Sequence, residues 1–395
     1  MAQWNARAAE RVVIFPTSLF RSSLRVGGCC GSGPCCLPTT HPITFLGIDL
    51  SRGLEIQYEL GGSVRVGERF RREQNRLIRQ LRIDAHGEPV FIVLAKAANP
   101  SAFQCRGAGV IETVDGHVVC RIDRSTEQQL VSIVFSLATG QDQGPSPPGA
   151  ERASPASVVK PVRRWSEVVR LPLSAPKGDQ VLNLEAIPLP IENPYQRGVR
   201  PASVDFFADG RAALVTYDGD VWLCEGLSPG SKQAVWSRFT SGLHEPLSIG
   251  IRNEEIFVFD RNGLWRLRDR DHNGEADYHE LFCSRIDQTA ETREFASAME
   301  VEKEGSFLVC KPGQVDTFSS VLRISADGQQ VSLIARGFRQ PFLGYDPLSG
   351  QIAVSDQQGN WVPSTPVAFI KPGGFYGFRS GTADEDTPVV PPLTW

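Results

Sequence analysis

The chain has 395 residues, 41 Lys+Arg against 45 Asp+Glu and a formal net charge of -4, with 41% hydrophobic and 22% charged residues. That length suits two or three domains with a real core, and the missing basic excess argues against a nucleic-acid partner. No apolar run nears the ~20 residues of a membrane-spanning helix, and 37 Gly with 28 Pro favour many short strands over long helices.

Arg outnumbers Lys 34 to 7, which fits either a bias in base composition or fork-shaped recognition of anions. The nine cysteines are an odd number and cannot form a complete intramolecular disulfide framework. Residues 1–41 lack periodicity and read as a disordered, Cys-rich tail. Cys29, Cys30, Cys35 and Cys36 flank Gly31-Ser32-Gly33-Pro34 there, a spacing tighter than the C-x₂₋₄-C pairs of zinc sites. Val12-Val13-Ile14-Phe15 is broken by Pro16 before a signal-peptide core can form. The chain as written therefore shows no signal peptide. Without C-x-x-C-H, it carries no covalent haem of its own.

Residues 42–140 read as a β-sandwich-like domain. Leu54–Leu60 alternates with period two and ends at Gly61-Gly62. Val110–Val114, Asp115-Gly116 and His117–Cys120 form a hairpin pattern, and Val131–Leu137 adds another strand. Residues 141–162 are rich in Pro, Ser and Gly and too poor in apolar residues to fold, so they read as a linker.

From 163 to 395 the sequence repeats. Gly210, Glu255, Gly305 and Gly350 each precede an apolar strand, at spacings of 45, 50 and 45 residues. Three of the units continue with an acidic residue, a Gly turn and a Trp, as in Asp218–Trp222, Asp260–Trp265 and Asp356–Trp361. A period of ~40–50 residues with several strands per unit marks a β-propeller, because one four-stranded blade cannot bury both faces alone. About four blades are visible, so a partial propeller is expected. Pro201, Pro246 and Pro341 each lie nine residues before their turn residue and open the innermost strands. The residues at those openings are Arg200, then His244 and Glu245, then Arg339 and Gln340, with Arg293-Glu294-Phe295-Ala296 matching in the third unit. On a shared axis they would form an Arg-rich ring for an anionic or polyoxygenated ligand, or would each satisfy a neighbouring blade's backbone.

Asp269 to Glu280 fits D-x-[DN]-x-[DN]-G-x₅-E in full. Calcium would take oxygens from Asp269, Asp271, Asn273, the Glu275 carbonyl, Asp277 and Glu280. The alternative is a solvated acidic turn. The flanks read as strands, unlike the helices of an EF-hand.

Ile187–Pro194, Asp205–Ala213, Gly219-Asp220-Val221-Trp222, Gly337–Pro341 and Lys371–Gly377 resemble one bacterial family. It is the exported six-bladed β-propeller proteins related to soluble quinoprotein glucose/sorbosone dehydrogenases, often fused to c-type cytochrome domains. The resemblance covers roughly residues 163–395. It implies pyrroloquinoline quinone at the channel mouth, a sugar or alcohol substrate, a c-type cytochrome as electron acceptor and a periplasmic or extracellular location. Arg339-Gln340-Pro341 stands where that family has Arg-Asn-Pro beside the quinone, and Arg293, Arg200 and Glu245 would complete the cofactor-binding set. The family's base histidine falls at Arg293, and Arg cannot act as a base; His244 is the substitute. The resemblance also continues past Trp395, so a fragment of a larger protein is expected. A sugar or alcohol dehydrogenase, a non-catalytic carbohydrate- or partner-binding propeller and an inactive fragment all remain open.

Overall fold

The structure, a computed structural model, describes residues 24–26, 43–73, 76–96, 99–114, 116–136, 163–174, 185–286, 296–312, 319–358, 364–378 and 387–394. The chain divides into two compact units, 1–160 and 161–395. It is all-β, and the one helical element among the described residues is a 3-10 turn at Pro100–Ala102. The Pro/Ser/Gly linker expected at 141–162 and most of the expected tail lie outside the described residues.

The N-terminal unit holds β1 (Leu24–Val26), β2 (Ile43–Asp49), β3 (Glu55–Leu60), β4 (Val64–Glu73), β5 (Arg76–Ile83), β6 (Val90–Lys96), β7 (Phe103–Gly107), β8 (Gly109–Val114), β9 (His117–Ile122) and β10 (Gln129–Ser136). One sheet runs β1-β6-β9-β8 and the other β2-β3-β4-β5-β10-β7. Leu24–Val26 departs from the expected tail, because it pairs antiparallel with Val90–Ile92 as an edge strand. The β8–β9 hairpin pairs Val114 with His117, and Gly116 takes the left-handed φ of +71° that its turn requires.

The two sheets bury one core between them, with Leu60, Val66, Leu81, Ile83, Ile133 and Phe135 from one and Val90, Ile92, Val118, Cys120 and Ile122 from the other. Each such large side chain contributes about 1.5–3 kcal/mol through burial. The exception to this apolar packing is a buried ionic triad. Tyr58 Oη donates to Glu68 Oε2 at 2.9 Å, and Arg79 meets the same carboxylate through Nη2 at 3.1 Å and Nε at 2.5 Å.

The C-terminal unit contains four antiparallel sheets in sequence. The first combines β11 (Val169–Pro172), β12 (Pro201–Phe206), β13 (Ala212–Thr216), β14 (Asp220–Glu225) and β15 (Gln233–Ser241); the second is β16 (Ser248–Arg252), β17 (Glu255–Asp260), β18 (Gly263–Arg268) and β19 (Tyr278–Cys283). The third is β20 (Ala298–Val301), β21 (Phe307–Lys311), β22 (Ser320–Ile324) and β23 (Val331–Arg336), and the fourth is β24 (Phe342–Tyr345), β25 (Ile352–Ser355) and β26 (Val367–Phe369). Within each blade consecutive strands follow one another as a meander, except that β11 of the first does not pair with β12 but closes the outer edge by pairing with β15.

The opening strands β12, β16, β20 and β24 lie beside one another in turn, as the inner strands of a propeller must. Between blades the faces interlock. Phe257, Phe259 and Leu264 of the second pack on Met299, Phe307, Val309 and Ile324 of the third. Leu308, Cys310 and Val321 of the third meet Ile352 and Val354 of the fourth. Arg252 braces the second and third blades: its guanidinium lies 4.5 Å from the Phe257 ring and 4.6 Å from that of Phe307, and Nη1 donates to Gly305 O and Ala326 O. Cys283 and Cys310 are buried in these faces and Cys224 in the core of the first blade, all as small apolar residues. The architecture is a sandwich-like unit and a partial propeller.

Candidate functional site

The blade openings share one device. In the first blade Asp218 Oδ2 accepts the backbone N–H of Arg200 at 3.1 Å; in the second Asp260 Oδ2 accepts that of His244 at 2.9 Å. In the fourth Asp356 accepts two, from Arg339 at 2.8 Å and Gln340 at 2.7 Å. The acidic residue that recurs before each Gly turn is therefore a clamp, tying the start of a blade's first strand to the end of its second. Burial pushes the carboxyls of Asp260 and Asp356 up from the ordinary range despite the hydrogen bonds they accept. Asp218 moves the other way, held down chiefly by the hydrogen bond from the Arg200 side chain.

The structure brings Arg200, His244 and Glu245 into one network. Arg200 Nη2 donates to Asp218 Oδ1 at 2.7 Å, and its guanidinium lies 4.9 Å from the Tyr217 ring. Glu245 Oε2 accepts from Arg261 Nε at 2.7 Å, and the Tyr217 hydroxyl lies near the same carboxylate. Burial alone would raise the Glu245 carboxyl, but these donors hold it below its usual range. Glu245 adopts φ +48°, so the chain bends sharply at this opening. The His244 side chain is exposed, and its backbone groups are engaged, N–H by Asp260 and C=O by Arg261.

Arg339 and Gln340 form a second patch, where Arg339 Nη1 donates to Gln358 O at 2.6 Å. Among the described residues no hydrogen bond or ion pair joins this patch to the first. Arg293 lies outside the described residues. Tyr217, Asp218 and Arg261 belong to the site although the sequence alone does not place them in it. A signal exists for Asp218, which sits in the recurring Asp–Gly–Trp pattern.

The Asp269–Glu280 loop is held by hydrogen bonds from its own backbone. Asp269 accepts the N–H groups of Asn273 and Gly274, Asp271 accepts that of Asn273, Asn273 accepts that of Glu275, and Asp277 accepts that of Arg270. The carboxylate of Glu275 is buried and turned to the start of the unit, where it accepts the N–H groups of Arg164 at 2.8 Å and Trp165 at 2.7 Å. Glu280 sits on β19, with Arg266 and Arg268 at 3.7 and 3.6 Å. Asp269, Asp271 and Asn273 are thus tied together through shared backbone donors, while Glu280 is engaged by the two arginines. Among the described residues no group of three or more His, Cys, Asp or Glu side chains is placed to hold a metal ion. As arranged, the loop fastens residues 163–165 to the second blade. Beside it, His279 is buried with Nε2 2.6 Å from Thr240 Oγ1.

No helix among the described residues is long and apolar enough to cross a membrane. No protein-family model matches the sequence, and no curated protein matches it. Among solved structures, a Thermus thermophilus protein named an oxidoreductase (glucose dehydrogenase) aligns with TM-score 0.40 and 16% identity over 50% of this chain and 71% of its own. A Trichoderma reesei enzyme of Carbohydrate-Active Enzymes family AA12, in its calcium structure, gives 0.37 and 13% over 48% of this chain and 59% of its own. A Bacteroides thetaiotaomicron protein of unknown function gives 0.32 and 12% over 75% and 70%. At these scores the likeness carries no argument about activity.

Proposed function

We propose that the C-terminal unit is a quinoprotein-like dehydrogenase propeller that takes a sugar or alcohol at its blade openings. The observation that carries this reading is the repeated carboxylate clamp, which presents Arg200, His244, and Arg339 with Gln340 from the same point of three blades. Such preorganisation suits recognition of a polyoxygenated ligand, because the loops lose little freedom when it binds. Pyrroloquinoline quinone, where bound, would supply a two-electron acceptor for a hydroxyl-bearing carbon. The Arg339 guanidinium donates to a backbone carbonyl, which leaves its charge available, and Gln340 adds amide donors, so these two would hold the quinone's carboxylates. His244, with an exposed side chain, would take the substrate hydroxyl proton. A c-type cytochrome acceptor and an exported location go with this reading.

A second reading is a binding propeller without redox chemistry, and a specific observation favours it. Arg200 is paired with Asp218, which leaves one guanidinium fewer for a tricarboxylate than the family pattern implies. The test is titration of the purified protein with the quinone, followed by absorbance, together with sugar-dependent reduction of a dye. The dehydrogenase reading expects saturable quinone binding, weakened by Arg339→Ala, and turnover abolished by His244→Ala with folding intact. Sugar binding without quinone binding or turnover would leave the binding module, and neither would refute both.

A further inference from the structure

We propose that Cys105 and Cys120 form a disulfide that staples the two sheets of the N-terminal unit when the protein meets a disulfide oxidant. Cys105 lies on β7 of one sheet and Cys120 on β9 of the other. Their sulfurs are 3.7 Å apart, so a change of rotamer brings them towards the ~2.05 Å of a bond. The space both occupy exists because residue 109 is glycine. A Cβ there would lie 2.6 Å from Cys120 Sγ and 2.7 Å from Cys105 Sγ, and 3.1 Å from a Val131 methyl. A side chain at 109 would crowd both thiols, and that position carries none.

The two thiols are suited to different halves of the exchange. Cys120 is buried and Cys105 is half-buried at the edge of the core, so an oxidant reaches Cys105 first. The hydrogen bond from Cys120 lowers the Cys105 thiol below its ordinary value even against the opposing effect of burial, while Cys120 is pushed up. Thiolate is the attacking species. With a small-molecule disulfide such as oxidised glutathione, the Cys105 thiolate attacks one sulfur and forms a mixed disulfide, releasing one glutathione thiol. Cys120 then loses its proton, attacks the Cys105 sulfur and expels the second glutathione. Two protein thiols are oxidised by two electrons, one external disulfide is reduced to two thiols, and the two protons leave with them.

The experiment oxidises the full chain in a glutathione buffer, blocks remaining thiols by alkylation, and maps the unreduced digest by mass spectrometry. The expected result is one linked peptide pair joining Cys105 to Cys120, lighter than the separate peptides by two hydrogens and lost on reduction. Oxidation should also raise the melting temperature of the N-terminal unit by roughly 10 °C, as closing a loop of this length implies, with no rise in Cys105→Ser. Separate alkylation of both thiols after oxidation, or linkage of either to a cysteine of the first 41 residues, overturns the proposal. The mapping uses the unmodified chain, so poor folding of a variant cannot blur the answer.

Discussion

His279 sets a pH limit on the C-terminal unit. Its ring is 5% exposed, 2.6 Å from the Thr240 hydroxyl and edge-on to Trp265. Burial, helped by the nearby Arg164 charge, lowers its pKa from 6.5 to about 4. The folded state therefore keeps the imidazole neutral at pH values where the unfolded chain already protonates it. Between pH 6.5 and 4 the unfolded state binds the extra proton, so stability is complete above pH 6.5 and falls as pH drops. At about 1.36 kcal/mol per pH unit, this one group costs about 2.5 kcal/mol by about pH 4.5. Urea unfolding of the wild type and His279→Gln, at about pH 7 and about pH 4.5, isolates the effect. Glutamine keeps a hydrogen-bonding partner for Thr240 but cannot titrate in this range. The wild type should lose about 2.5 kcal/mol more than the variant on acidification. Equal losses, or an NMR titration of His279 near its ordinary value of 6.5, would refute the reasoning.

Three further outcomes follow from the same geometry. Asp260→Ala leaves the N–H groups of His244 and Asn262 and the indole N–H of Trp265 without their acceptor; at about 1–3 kcal/mol per buried donor, urea unfolding should show a loss above about 3 kcal/mol. Glu275→Ala frees residues 163–165 from the carboxylate that holds them, so limited trypsin digestion should cut after Arg163 or Arg164 several-fold faster than in the wild type. Arg79→Met strands the Glu68 carboxylate in the N-terminal core beside Tyr58 and should cost about 3–5 kcal/mol, whereas changing Tyr58, Glu68 and Arg79 together to apolar residues should recover most of it in the same assay.

The repeat was legible because propeller blades impose a period on apolar runs, and the strands at Ala212–Thr216, Glu255–Asp260, Phe307–Lys311 and Ile352–Ser355 lie where that period puts them. The opening residues Arg200, His244 and Arg339 were legible for the same reason. What the sequence could not carry was the partner of each side chain. Arg200 reads as a free cation in the chain, yet Asp218 at the end of the adjoining strand neutralises it. Glu275 carries no sign in the sequence of where its side chain goes, and its carboxylate reaches a segment 110 residues earlier. The juxtaposition of Cys105, Cys120 and Gly109 depends on two sheets meeting face to face, which no local pattern records. Leu24–Val26 pairs as a strand without any period of its own, because three residues are too few to show one.

Among the described residues the third blade has no such carboxylate clamp. At the end of its second strand, where the second and fourth blades place Asp260 and Asp356, stands the buried Lys311. An ammonium can only donate, so it cannot accept the N–H of a blade opening. Among the described residues beside this opening, Ser297 bonds backbone carbonyls: its N–H donates to Cys310 O at 2.9 Å, and its hydroxyl donates to Pro341 O of the fourth blade at 2.8 Å. A side-chain clamp fixes an opening to its own blade, whereas the Ser297 hydroxyl fixes it to the next one. The opening of the third blade is therefore coupled to Pro341, the residue after Gln340. On the proposed reading, in which Arg339 and Gln340 hold the quinone, Ser297→Ala should lower quinone affinity several-fold with sugar affinity little changed. Equal losses of both would show that Ser297 only supports the fold.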